Sequence, residues 1–248
     1  MMMRQIRLKI AAADGQKLHS NWGYALYGIL SDKARPEYIA DLHMRNETPI
    51  SQYLEVLPGR EQAYWHINLL GAEAVEEITA IFASNDQFEA LHHQTTLQIL
   101  EKELGQVVTE ADFCRRYLVD SPAKRKLRLE LLTPTGFKSQ GAYQFFPSVE
   151  WMIKSLWRSW QAFAQEVLLE GDDVREQLIQ YTHISDYQLK STRYPVKGNN
   201  IPAFKGNVTL YIAGPEPLVR LVNMLLAFGE YSGMGIKTAL GMGGYRLI

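Results

Sequence analysis

Apolar and polar residues alternate along residues 4–12, where Ile6, Leu8 and Ile10 interleave with Arg7 and Lys9. A period of two puts one set of side chains on each face, so the stretch predicts a half-buried strand. The period lengthens after Asp14-Gly15. Leu18, Trp22, Leu26, Ile29 and Leu30 recur at helical spacing and predict a helix over 16–30. Pro36 precedes a short apolar helix at 38–42. Strands follow at 49–57 and 63–69, separated by the turn Pro58-Gly59. Val75, Ile78 and Ile81 are in helical register over 72–82, and 88–100 reads as a strand with a local irregularity.

A second clean alternation begins after Ser121-Pro122, with Leu127, Leu129 and Leu131 against Arg128 and Glu130. Thr133-Pro134-Thr135-Gly136 is expected to break that strand. An amphipathic helix is predicted over 148–170, with Ser148 as N-cap and Trp151, Ile153, Leu156, Trp157, Trp160 and Phe163 as its core stripe. Glu170 to Asp173 reads as a loop, 181–194 and 204–212 as strands, 217–228 as a helix, and 245–248 as a closing strand. Each half therefore runs strand, helix, strands, helix, strand. This predicts an α+β chain of two tandem ferredoxin-like (RRM-like) βαββαβ domains, 1–122 and 123–248. Fold alone leaves function open.

Composition narrows the class. The chain has 248 residues, 46% hydrophobic and 21% charged, which is ordinary for a globular protein and excludes disordered, collagenous and disulfide-scaffold classes. The single Cys114 points to a reducing compartment. No apolar run reaches a membrane span and the basic start lacks a leader's apolar core, so a cytoplasmic protein is expected. Net charge is −1, but residues 71–112 carry nine acids against Lys102 alone, leaving the remainder net positive by seven. Such asymmetry suits a polyanion on one side, and equally an acidic solvated helix.

Candidate chemistry is concentrated in a few places. Gly229, Gly233, Gly235, Gly241, Gly243 and Gly244 fall within sixteen positions that also contain Lys237. Glycines permit positive φ and close approach, so the segment reads either as a backbone anion nest or as a turn-rich connection. It matches neither a Walker loop nor a dinucleotide fingerprint. His43 lies at the end of a short helix, where an imidazole can meet a ligand and move protons near neutrality. Tyr24 and Tyr27 lie three apart on the preceding helix. His66 reads as a sheet residue, and the adjacent His92 and His93 make a poor metal pair, so no metal or other cofactor is expected. Lys124, Arg125, Lys126 and Arg128, extended by Lys138, Lys190, Arg193, Lys197 and Lys205, are candidate phosphate contacts. Tyr143, Phe145, Tyr187 and Tyr194 between them could stack on bases.

The run from Phe228 to Gly244, FGEYSGMGIKTALGMGG, resembles the carboxyl-terminal glycine-rich signature of the CRISPR repeat-RNA processing endoribonucleases of the RAMP superfamily. Leu131 to Lys138 is similar to the opening of that family's second domain. Ala25 to Leu30, followed by Ala40-Asp41-Leu42-His43, is similar to its first helix and catalytic histidine. The resemblance implies tandem ferredoxin-like domains and metal-independent cleavage within the repeat. A 2′-hydroxyl attacks the adjacent phosphorus, leaving a 2′,3′-cyclic phosphate and a 5′-hydroxyl. It makes His43 the acid/base residue and Tyr27 its partner, and implies that the tail, with Gly233, Gly235 and Lys237, helps hold the RNA backbone. Many members add a lysine soon after the histidine. Here Arg45 stands in that stretch, a cation without a proton-transfer role. The partner implied is CRISPR repeat RNA. The missing lysine motivates an alternative, a non-cleaving RNA-binding subunit of a CRISPR effector complex; a homodimer stays open. A metabolic protein on duplicated ferredoxin-like domains is a third reading, supported by the near-zero net charge.

Overall fold

The computed structural model describes residues 1–248 apart from Lys197 and the side chain of His43. The roles expected of Lys197 and of the His43 imidazole therefore lie outside the described residues.

In chain order the first half contains β1 (Met2–Ala12), α1 (Gly23–Lys33), α2 (Pro36–Met44), β2 (Ile50–Val56), β3 (Gln62–Leu70), α3 (Ala72–Ser84), β4 (Gln87–Ala90), β5 (Thr95–Leu104), β6 (Val108–Thr109) and α4 (Glu110–Arg115). Its sheet is ordered β2-β3-β1-β5-β4, with β6 pairing β1, and its strand pairs are antiparallel. The alternation in β1 does what its period requires. Ile6, Leu8 and Ile10 are buried, and Leu8 stands opposite Trp65 of β3. Val75, Ile78 and Phe82 of α3 cover that face, with Phe82 edge-on to Trp65 at 5.4 Å.

The second half contains β7 (Lys126–Thr135), β8 (Phe137–Ser139), β9 (Ala142–Gln144), α5 (Val149–Phe163), α6 (Asp172–Tyr181), β10 (Thr182–Val196), β11 (Asn199–Ile212), α7 (Glu216–Ser232) and β12 (Tyr245–Leu247). The sheet is ordered β10-β11-β7-β12, and β8 and β9 form a separate hairpin. In both sheets the second, third, first and last strands of a βαββαβ series lie side by side, so the chain is a tandem ferredoxin-like arrangement. Leu127, Leu129 and Leu131 pack on Met152, Leu156 and Trp160 of α5, and Trp160 meets Phe228 of α7 edge-on at 5.0 Å.

Five local expectations are corrected. The helix expected from residue 16 starts at Gly23, after a 3₁₀ turn at Ser20–Trp22. The Leu18 amide instead bonds the Arg60 carbonyl, a tertiary partner that holds the chain out of helical conformation. The strand continues through Pro134 rather than breaking, because Pro134 falls where the β7–β11 register shifts and no ladder donor is needed. The helix expected to reach residue 170 ends at Phe163. The carboxylate of buried Glu110 takes the amides of Gln165, Glu166 and Val167 at 2.8–2.9 Å, along with the Met1 amine at 2.8 Å. Burial alone would raise this carboxyl; the hydrogen bonds outweigh it and pull it down to about 2. The loop expected at 170–173 opens α6, whose first turn holds Asp172 and Asp173, where negative charge suits the helix dipole. Only Leu178 of that helix is buried, so its apolar stripe is too thin to show in the pattern. The single strand expected over 88–100 is instead a hairpin, because the chain reverses in a 3₁₀ turn at Leu91–His93 that ends on Gln94 at φ 51, and β4 pairs back antiparallel on β5.

Candidate functional site

The glycine-rich segment links α7 to β12 and lies against elements of both halves. Most of its amides have internal acceptors. Met234 donates to the Gly243 carbonyl, Ile236 to Gly136, Gly243 to Pro134, Gly244 to the Thr133 hydroxyl, and Gly235 to the Ser155 hydroxyl at 2.8 Å. Gly233 and Gly235 shape the loop at φ 69 and 93, and a Cβ on Gly235 would stand 2.3 Å from the Gly136 carbonyl. Their own amides are already bonded within the chain. The amides of Lys237, Thr238 and Ala239 have no internal acceptor among the described residues, and the Lys237 side chain is exposed.

Strand β2 and helix α1 clamp this loop. The buried Gln52 amide donates to the carbonyls of Gly23 and Ala239 at 2.8 Å each, and its carbonyl accepts from Trp65 Nε1 at 2.5 Å. The Tyr194 hydroxyl donates to the Leu240 carbonyl at 2.8 Å. Gly23 faces Leu240 and Gly241 so closely that a Cβ there would clash with backbone. Tyr27 is one turn further along the same face of α1. It is half-buried, and burial pushes its phenol upward, so at neutral pH it is a hydrogen-bond donor rather than a base.

Residue 43 lies in the last turn of α2. Arg45 just beyond it donates through Nε to Asp41 at 2.5 Å and through Nη2 to Glu73 at 3.1 Å. Glu47 reaches across to α5, where it pairs with Arg158 at 2.5 Å and accepts from Ser159 at 3.5 Å. Ser155, which holds Gly235, is one turn earlier on the same helix. Helix α5 thus joins the loop after His43 to the glycine-rich loop. A groove of about 330 Å³ opens beside this junction, lined by Lys138, Lys154, Arg158 and Arg175 together with Gly235.

The other sequence candidates fall elsewhere. Lys124, Lys126 and Arg128 are exposed at and just before the start of β7; Lys126 is six residues, about 20 Å along the strand, from Leu132, whose amide bonds the Gly244 carbonyl. Arg125 there donates to the carbonyls of Ile212 and Gly214. Lys138 does reach the groove. His66 is a sheet residue stacked on Tyr53 at 4.5 Å and bonded to Glu55 at 3.0 Å. His93 stacks on Trp22 at 3.7 Å. Lys154 and Arg158 were readable in principle, four apart on the polar face of α5, but the tryptophan stripe on that helix drew the reading to the core. Arg175 carried no signal because its helix carried none. No helix among the described residues is long and apolar enough to cross a membrane.

The sequence profile of the family described as CRISPR-associated endoribonuclease Cas6 matches residues 129–245. A CRISPR-associated endoribonuclease Cas6 of Streptococcus thermophilus is 30% identical over 223 residues, spanning 89% of either chain. One from Mycobacterium tuberculosis is 30% identical over 234 residues, spanning 91% of this chain and 71% of its own. Among solved structures, a Cas6 product complex superposes with a TM-score of 0.82 at 21% identity, covering the whole of both chains. The product of a Cas6-related gene from Pyrococcus furiosus superposes at 0.63 and 18% identity, over 99% of this chain and 98% of its own.

Proposed function

Because the chain belongs to the Cas6 family of CRISPR-associated endoribonucleases, we propose that it cuts CRISPR precursor RNA within the repeat without a metal ion, in the cytoplasm. The 2′-hydroxyl beside the cut attacks phosphorus, the P–O5′ bond breaks, and a 2′,3′-cyclic phosphate and a 5′-hydroxyl remain. His43 transfers the proton, Tyr27 donates a hydrogen bond from α1, and Arg45 supplies positive charge to the phosphate. Lys237 and the amides of residues 237–239 hold the strand, in a loop whose shape Gly233 and Gly235 maintain. Lys138 contributes from the groove, and Lys124, Arg125, Lys126 and Arg128 serve flanking RNA at the far end of β7.

The observation that carries this reading is the junction on α5, which brings the loop after His43 and the glycine-rich loop together through Glu47–Arg158 and Ser155–Gly235. Exposed pairs such as those of Arg45 are worth about 0–1 kcal/mol, so a phosphate can displace Asp41 or Glu73 from it. The test is incubation with repeat RNA in EDTA. Cleavage should proceed, and His43→Ala should lower its rate by roughly 10²–10⁴-fold with binding retained. Cleavage that appears only on adding Mg²⁺, or an unchanged rate in H43A, refutes the assignment.

The double engagement of Arg45 by Asp41 and Glu73 favours a second reading, an RNA-holding subunit of an effector complex that does not cut. A 2′-deoxy substitution at the cut site separates the two, since it stops an enzyme and leaves a binder unaffected.

A further inference from the structure

The groove beside α5 adds to Lys138 three cations that the proposed chemistry does not use, Lys154, Arg158 and Arg175. Lys138 comes from β8, Lys154 and Arg158 from α5, and Arg175 from α6, and no acidic side chain lines the space among the described residues. The carboxylates paired with these cations stand outside its lining: Glu150 on Lys154 at 2.5 Å, Glu47 on Arg158 at 2.5 Å, and Asp172 on Arg175 at 2.9 Å. Lys138 has no carboxylate partner among the described residues. The Arg175 guanidinium is one acceptor short, because its Nε is buried and unpartnered.

The remaining walls suit a nucleotide strand better than a simple anion. Half-buried Trp151 lines the groove beside Ile236, over the core residues Phe137 and Trp157. Lys154 Nζ lies 5.3 Å from the Trp151 ring and Lys138 Nζ 5.6 Å from the Tyr143 ring. Phe145 and Phe146, just beyond β9, are 48% and 71% exposed. Cations in the groove with partly exposed aromatic rings beside it suit a single strand, which is held through backbone charge and base stacking.

We infer that this groove is a phosphate seat for the RNA strand flanking the cut, with Arg175 as the anchoring residue on α6. The assignment rests on the ribonuclease reading above. Arg158 both lines the groove and holds the loop after His43, so a strand leaving the reaction centre along α5 meets the seat within a helical turn. A planar guanidinium lacking an acceptor is matched to a phosphate, which offers oxygens in the fork geometry that it needs. A phosphate there can draw the guanidinium off Asp172 and give its Nε an acceptor.

The test is fluorescence anisotropy with repeat RNA made uncleavable by a 2′-deoxyribose at the cut, between 50 and 200 mM salt. Each phosphate contact on a single strand contributes about 0.7 to the slope of log affinity against log salt. Arg175→Gln should weaken binding roughly tenfold at 50 mM and flatten the slope by about 0.7, while Arg175→Lys should keep most of the slope. Unchanged affinity and slope in R175Q overturn the seat, as does weaker binding with an unchanged slope, which is a packing effect. If R175Q does not fold, Lys138→Gln gives the same reading. In a second arm, inorganic pyrophosphate should raise the melting temperature of the wild type but not of R175Q; equal shifts overturn the seat. Pyrophosphate protection lost in R175Q, without RNA binding by the wild type, would leave the anion seat standing and refute the ribonuclease reading. Poly-glutamate displacing the RNA equally well at equal charge would assign the groove to an acidic protein and overturn the proposal.

Discussion

In the loop between α7 and β12 the backbone is its own scaffold: amide after amide finds an acceptor within the chain, and the glycines permit the left-handed turns and close approaches that this requires. In the loop after His43 the anchors are side chains instead, Arg45 on Asp41 and Glu73, and Glu47 on Arg158. Both loops dock on α5, yet the first resists deformation and the second can exchange partners. A site that must cradle a strand and also accommodate charge moving during reaction benefits from one wall of each kind. Hydrogen-bonded backbone supplies preorganisation. Exposed ion pairs supply replaceable charge at little stability cost.

The sharpest way to break this contrast is at Gly243. Its φ is +72, and a Cβ would lie 2.1 Å from the Met234 carbonyl oxygen. Gly243→Ala combines backbone strain with a clash against backbone and should destabilise by about 3 kcal/mol, lowering the melting temperature by roughly 6–12 °C in a chain of this size. Gly28 makes the internal control. It is exposed in the middle of α1 with open space where a Cβ would stand, so Gly28→Ala should stabilise by about 0.5–1 kcal/mol. Scanning calorimetry showing no difference between G243A and wild type would mean that the loop is not the rigid wall.

Gln52 tests the clamp between the two halves. The Gln52→Ala change leaves the carbonyls of Gly23 and Ala239 and the indole N–H of Trp65 without the buried partner they have now. A loss of about 2–3 kcal/mol is expected. Hydrogen exchange should quicken selectively at the amides of residues 240–243, beside the lost bond. Uniform quickening across both sheets would show that Gln52 supports the whole fold rather than the clamp.

The sequence patterns foreshadowed the layers of this molecule more completely than its junctions. Alternation marked β1 and β7, and a tryptophan-rich stripe marked α5, because burial of one face imposes a period on the residues themselves. The extent of α5 depended on Glu110, some fifty residues earlier, taking the amides that would have continued the helix. Helix α6 buries only Leu178 and so left no period to detect. Ser155–Gly235 and Glu47–Arg158 are separated by 80 and 111 residues, distances at which a hydrogen bond leaves no local signature. The run Lys124 to Arg128 shows the converse. Its charge is dense in sequence, but β7 carries it away from the glycine-rich loop, whereas the cations gathered in the groove come from three separate elements.

The smallest expected effect probes the exchangeable wall. Among the described residues Glu47 is the one carboxylate paired with Arg158, whose side chain is 60% exposed, so Glu47→Gln should change stability by less than about 1 kcal/mol. Its consequence for RNA should be larger than for folding. Removing this carboxylate frees a guanidinium that already lines the groove and adds one net positive charge where the strand is proposed to run. Repeat RNA should then bind E47Q a few-fold more tightly at 50 mM salt, with the gain shrinking toward 200 mM as screening sets in. Tighter binding with steeper salt dependence would mark the loop after His43 as the tunable side of the site. Weaker binding would instead show that the Glu47–Arg158 pair is part of the rigid framework, and the two loops would then differ only in which groups make their bonds.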